Sequence, residues 1–138
     1  MKYSLYFFLI FLGSCKPEPY KPTTNEFLYN NKTNYTVDLI RYITINGSAN
    51  SYSYGYKINK GESIRINQQQ EEFLLASVLD SVEIIFDNTK KVVFRKNDEQ
   101  SNPNLWDVSP VRTSSYTLQE NDEVASYIID NKIFDLAK

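Results

Sequence analysis

The stretch DSVEIIFDNTKKVVFR, residues 80–95, constrains this 138-residue chain more than any other. Val82, Ile84 and Phe86 alternate with other residues, Asp87 to Lys90 reads as a turn, and Val92 and Phe94 resume the alternation. Only an extended strand puts every second side chain on one face, and a polar break between two such runs makes a hairpin. A slip of one residue would turn the apolar set to solvent, so the pattern also sets the register.

The same period recurs upstream. In TVDLIRYITI, residues 36–45, Val37, Leu39, Ile43 and Ile45 alternate with Thr36, Asp38, Tyr42 and Thr44. Asn46-Gly47 signals a turn, SYSYGYKI at 51–58 places Tyr52, Tyr54, Tyr56 and Ile58 on one face, NKGE turns again, and IRIN at 64–67 is a short strand. Residues 68–79, QQQEEFLLASVL, fit both helix and strand and are expected to be irregular, with room for a helical turn. Residues 96–112 read as a long polar loop carrying Trp106, and SSYTL at 114–118 as a last strand. QENDEVASYIID, 119–130, reads as a short helix with Val124, Ala125, Ile128 and Ile129 on one face. The expected fold is all-β: an Ig-like β-sandwich of about six or seven antiparallel strands with a short C-terminal helical segment, over residues 27–138.

The N-terminus follows a different logic. Residues 3–12, YSLYFFLIFL, carry no charge, follow Lys2 and end at Gly13 and Ser14. A spanning helix needs about 20 apolar residues, and this run is too short. A basic start, a short apolar stretch and small residues before a cut describe a secretory signal, here residues 1–14. KPEPYKP follows at once, and its three prolines prevent a helix or strand from continuing. Leu12-Gly13-Ser14-Cys15 resembles the bacterial lipobox. That resemblance implies a diacylglyceryl group on the Cys15 thiol, cleavage just before Cys15 and acylation of the new N-terminus; Leu12 and Ser14 fit the usual pattern, while Gly13 is a less usual choice. Residues 15–26 then read as the lipidated cysteine and a proline-rich tether of roughly 30 Å. Losing residues 1–14 leaves 124 residues and moves the formal charge from −2 to −3. That length suits one domain, and that charge gives no reason to expect nucleic acid as a partner.

The hairpin carries a second resemblance. DSVEIIFDNTKKVVF, with NNKTNYTVDL before it and SYTLQENDEVAS after it, is similar to a group of uncharacterised small envelope lipoproteins of AT-rich bacteria. In that group a DSV-x-I-x-F-D strand and a K-x-[VI]-x-F strand recur. The likeness covers most of the chain from about residue 30. It implies a location and a fold, and brings no catalytic residue with it.

The residue inventory narrows the chemistry. There is no histidine, so the Ser-His-Asp and Cys-His arrangements are absent. One cysteine cannot build a thiolate metal site, and the four glycines, Gly13, Gly47, Gly55 and Gly61, are too scattered for a phosphate loop. Carboxylates such as Asp38, Glu83 and Asp87 are more simply explained as solvated strand faces and a turn than as a hydrolytic pair. The NDE triplets at 97–99 and 121–123 match no calcium loop. No catalytic residue, metal ligand or cofactor is therefore expected. The tyrosine stripe Tyr52, Tyr54 and Tyr56 is a candidate binding face for glycan or peptide, and equally what a strand facing the core presents. Trp106 is a candidate contact on its loop, or a lid over one end of the sandwich. Asp80-Ser81-Val82 matches an envelope O-glycosylation pattern at Ser81, and also simply opens a strand.

The reading that follows is a non-catalytic lipoprotein anchored at Cys15, a structural or interaction module of the cell envelope. Its membrane is expected to be the outer one, with the periplasmic side favoured because KPEP lacks an acidic run. Another envelope protein or a glycan is the expected partner. The alternative is a glycan- or peptide-binding lipoprotein that uses the tyrosine face.

Overall fold

A computed structural model describes residues 26–44, 51–67, 79–120 and 123–138. They form two four-stranded sheets over a shared apolar core. In chain order the elements are β1 (Glu26–Asn31), β2 (Val37–Thr44), β3 (Ser51–Ile58), β4 (Ser63–Asn67), β5 (Leu79–Phe86) and β6 (Lys90–Arg95). After them come α1 (Asp98–Ser101), α2 (Pro103–Trp106), β7 (Thr117–Gln119), β8 (Val124–Ile129) and α3 (Asn131–Leu136). One sheet has the order β4-β1-β8-β7 and the other β3-β2-β5-β6. The β-sandwich expected from period-two alternation is thus the architecture, with eight strands.

The β5–β6 hairpin forms in the expected register, Val82 opposite Phe94 and Ile84 opposite Val92, with Phe86 also buried. Asp87 and Asn88 both take positive φ, and the Thr89 N–H donates to the Phe86 carbonyl at 2.9 Å, which makes a type I′ turn. Asp and Asn are the non-glycine residues that best tolerate that conformation. The Asp87 carboxylate also accepts the Thr36 N–H at 2.8 Å, tying the turn to the start of β2. At the other end of β5 the register against β2 shifts between Tyr42 and Ile43, so Asp80 is an extra, bulged residue.

Two sequence expectations change. The segment expected as a helix at 119–130 contains strand β8, whose residues 124–127 are all buried. Apolar residues at 124, 125, 128 and 129 imitate a helical face because a central strand covered on both sides loses its alternation. β8 runs parallel to β1 and antiparallel to β7, so the sheets are not wholly antiparallel. The helical segment is α3, one element later, and the Asp130 carboxylate opens it by accepting the Lys132 and Ile133 N–H groups. Residues 96–112 are not a plain loop either, since they wind into α1 and α2. The buried Asp98 carboxylate anchors that segment by accepting the Arg95 N–H at 2.6 Å.

One end of the core is sealed by α3. Phe134 stacks on Tyr35 with ring centroids 4.3 Å apart and planes 10° apart, and meets Phe86 edge-on at 5.2 Å. Beyond the helix, Lys138 and Lys91 exchange backbone hydrogen bonds of 3.0 and 3.1 Å, which covers part of the exposed edge of β6.

Candidate functional site

Cys15, the signal segment and nearly all of the tether lie outside the described residues. The other residues singled out from the sequence fall at separate places. Tyr52, Tyr54 and Tyr56 stand on β3, an edge strand, directly opposite Ile43, Arg41 and Leu39 of β2. They share the core-facing side of that sheet. Tyr54 and Tyr56 are half-buried against the core, while Tyr52 is 45% exposed. Trp106 ends α2 and is half-buried; it follows β6, at the opposite edge of the sheet from β3, and does not join the stripe. Ser81 lies within β5, half-buried, between Tyr42 and Arg95 in register and next to the Asp80 bulge.

The candidate carboxylates are engaged on the outer face of their sheet or at its turn. Asp38 sits 3.9 Å from the Lys57 ammonium. Glu83 holds the Lys91 ammonium at 2.7 Å and accepts the Tyr42 hydroxyl at 3.1 Å. Glu83 and burial together raise the Tyr42 pKa, burial being the larger cause. Among the described residues, no group of three or more carboxylate, histidine or cysteine side chains is placed to hold a metal ion.

The alternation in β2 points to a residue that the apolar reading of that strand passes over. Residues 37, 39, 41 and 43 form the inward row, so Arg41 lies among core residues, and it is 0% exposed. Its guanidinium carbon lies 5.2 Å from the centroid of Phe27 and 5.8 Å from that of Tyr29. Both distances are within cation–π range. Tyr116 and Tyr127 complete the group, with Tyr116 5.5 Å from Phe27 and 5.5 Å from Tyr127, centroid to centroid.

Two of the three hydroxyls of this cluster reach irregular backbone. Tyr116 donates to the Pro110 carbonyl at 2.7 Å. A hydroxyl has one proton to give, so the 2.8 Å contact between Tyr29 and Tyr116 is a donation from Tyr29. Tyr127 donates to the Val108 carbonyl at 2.5 Å. Burial, and next the neighbouring Tyr29, push the hydroxyl pKa values of Tyr116 and Tyr127 well above the ordinary tyrosine range. They therefore remain protonated donors throughout the physiological range.

Where β7 stops, a cleft of about 250 Å³ opens against β8. Asp107, Ser115, Thr117, Ser126, Ile128 and Asp130 line it. Asp107 is paired with Arg112 at 3.1 Å, and one oxygen of Asp130 is committed to the start of α3. The Ser115 hydroxyl is buried and, among the described residues, has no hydrogen-bond partner. Sequence reasoning missed this cleft because it expects a strand over 114–118, whereas residues 113–115 wind into a 3₁₀ turn and β7 begins only at Thr117.

No protein-family model matches this chain, and no curated protein or solved structure is significantly similar to it.

Proposed function

We propose that the chain is a lipid-anchored protein of the bacterial cell envelope whose β-sandwich is a non-catalytic structural or interaction module. The observation that carries this is the order of features at the N-terminus. A ten-residue apolar run ends in Leu12-Gly13-Ser14-Cys15, and Cys15 stands eleven residues before β1 begins at Glu26. That spacing gives the sandwich a tether of roughly 30 Å if extended. No helix among the described residues is long and apolar enough to cross a membrane. Two acyl chains or more, which the lipobox implies, anchor a protein stably where one holds it only marginally.

The non-catalytic part of the reading draws support from the engagement of Asp38 and Glu83 with lysines on an outer strand face. Tyr54 and Tyr56 belong to the packed edge of the core, which supports assigning that stripe to the fold.

Cys15→Ser tests the anchor. The variant is expected to lose its fatty acid and to leave the membrane fraction. A variant that still sediments with membranes and still carries fatty acid would sink the proposal. Protease treatment of intact cells tests the side of the membrane, with resistance expected for a periplasm-facing domain.

A further inference from the structure

A parallel ladder sends the polar groups of alternate residues to alternate sides. The Lys32 N–H donates to the Ile129 carbonyl at 2.8 Å, and the register pairs Asn31 with Ile129 and Tyr29 with Tyr127. Ala125, Tyr127 and Ile129 therefore turn their N–H and C=O groups toward β1. Val124, Ser126 and Ile128 turn theirs the other way. β7 takes up the first two of these, Gln119 opposite Val124 and Thr117 opposite Ser126. The next antiparallel partner, for Ile128, would be residue 115.

At that point the chain has not yet joined the sheet. Residues Thr113–Ser115 form a 3₁₀ turn in which the Ser115 N–H donates to the Arg112 carbonyl at 3.1 Å. Ile128 thus presents an N–H donor and a C=O acceptor to the cleft, and among the described residues no strand reaches them. Ser115 lines the same space, its hydroxyl buried and, among the described residues, without a hydrogen-bond partner. The Ile128 side chain, 52% exposed, stands beside it on the outer face of the sheet.

We propose that this interrupted edge of β8 binds the main chain of an extended peptide, one residue of which pairs with Ile128 in the place that β7 vacates. A peptide supplies both complementary groups at once, in the geometry that β7 already uses two residues earlier. Continuity with that ladder makes the peptide antiparallel to β8. Strand addition of this kind takes affinity from main-chain bonds and specificity from alternate side chains. The peptide residue opposite Ile128 shares its face and is apolar. Asp107 is already paired with Arg112, and Lys132 at the rim offsets Asp130, so the favoured peptide is uncharged.

This site deepens the reading of the sandwich as an interaction module. It does not depend on the lipid, so membrane fractionation and peptide binding can fail separately.

The full chain, purified in detergent, is panned against a random heptapeptide library, and recovered peptides are titrated against it and its variants. Binding is expected to fall about tenfold or more in Ile128→Pro, which removes the N–H, and in Ser115→Leu, which fills the cleft. Ile128→Pro is expected to fold, because an edge residue whose N–H faces away from the ladder tolerates proline. The Ile128 amide is expected to exchange fast in the free protein and to become protected by peptide. If Ile128→Pro does not fold, Ser115→Leu and the amide exchange decide the matter. The proposal is overturned if no peptide binds, if the Ile128 amide is already protected in the free protein, or if binders ignore Ser115→Leu and are lost in Tyr54→Ala. Occupation of the cleft by oligosaccharide alone overturns it as well.

Discussion

Two aromatic clusters hold the two ends of this core, and they work differently. At the end near the β5–β6 turn, Tyr35, Phe86 and Phe134 pack by ring faces and edges, with the Lys90 ammonium 4.6 Å above Phe134 from outside. At the other, Phe27 and Tyr29 lie against a guanidinium that is wholly buried, and Tyr116 and Tyr127 pack on those rings. Three of the four rings there carry a hydroxyl bonded within the cluster or to a backbone carbonyl of residues 108–110. The first cluster seals an end with a helix. The second orders a stretch of irregular chain from inside, through directional bonds that a change of side chain breaks outright.

The largest test of this contrast is Arg41→Ala. It removes a fully buried side chain and its ring contacts together, and is expected to cost about 3 kcal/mol or more in denaturant unfolding. A loss under about 1 kcal/mol would show that the cation is incidental to the cluster. Tyr116→Phe comes next, at about 1–3 kcal/mol, because it strands the buried Tyr29 hydroxyl and the Pro110 carbonyl while keeping the ring. Faster amide exchange confined to residues 108–116 should accompany it. Phe134→Leu, in the apolar cluster, is expected to cost about 1 kcal/mol with no local change of exchange near residue 110, since leucine still fills the half-buried site.

The smallest effect belongs to the surface. Arg65 holds Glu120 at 2.7 Å and Glu26 at 3.0 Å, and the bond to Arg65 lowers the Glu120 pKa. A carboxylate with a depressed folded-state pKa contributes stability above its unfolded pKa and loses it as the pH falls through the folded value. Glu120→Gln should therefore lower the melting temperature slightly at neutral pH. The difference should vanish in acid and shrink in high salt. A difference that persists in acid would point to packing in place of charge.

Legibility in the sequence followed the physics of each element. The β5–β6 hairpin could be read because one of its faces is wet, so the alternation survives. β8 could not, because its residues 124–127 are buried on both faces and carry no period to separate them from a helix. Arg41 was legible in principle. Its position in the row Val37, Leu39, Ile43 assigns it to the core, and a reading by residue type skips it. The same rule groups the tyrosines of β3 on one face, whereas the split between half-buried Tyr54 and Tyr56 and exposed Tyr52 depends on where the edge of the sandwich falls. The cleft at Ile128 depends on the length of β7 relative to β8, a tertiary fact with no local signature.

The parallel pairing of β1 with β8 joins Glu26 to Val124, residues 98 positions apart. β1 is an inner strand of its sheet, and half of its hydrogen-bonding capacity is answered only by β8. A chain emerging from its N-terminus can form the β5–β6 hairpin early, yet it cannot complete this sheet until almost its whole length is available. Non-local closure of that kind is slow. Until residues 124–129 have been made, β1 has no partner on that side, so the finished sandwich forms late in the life of the nascent chain.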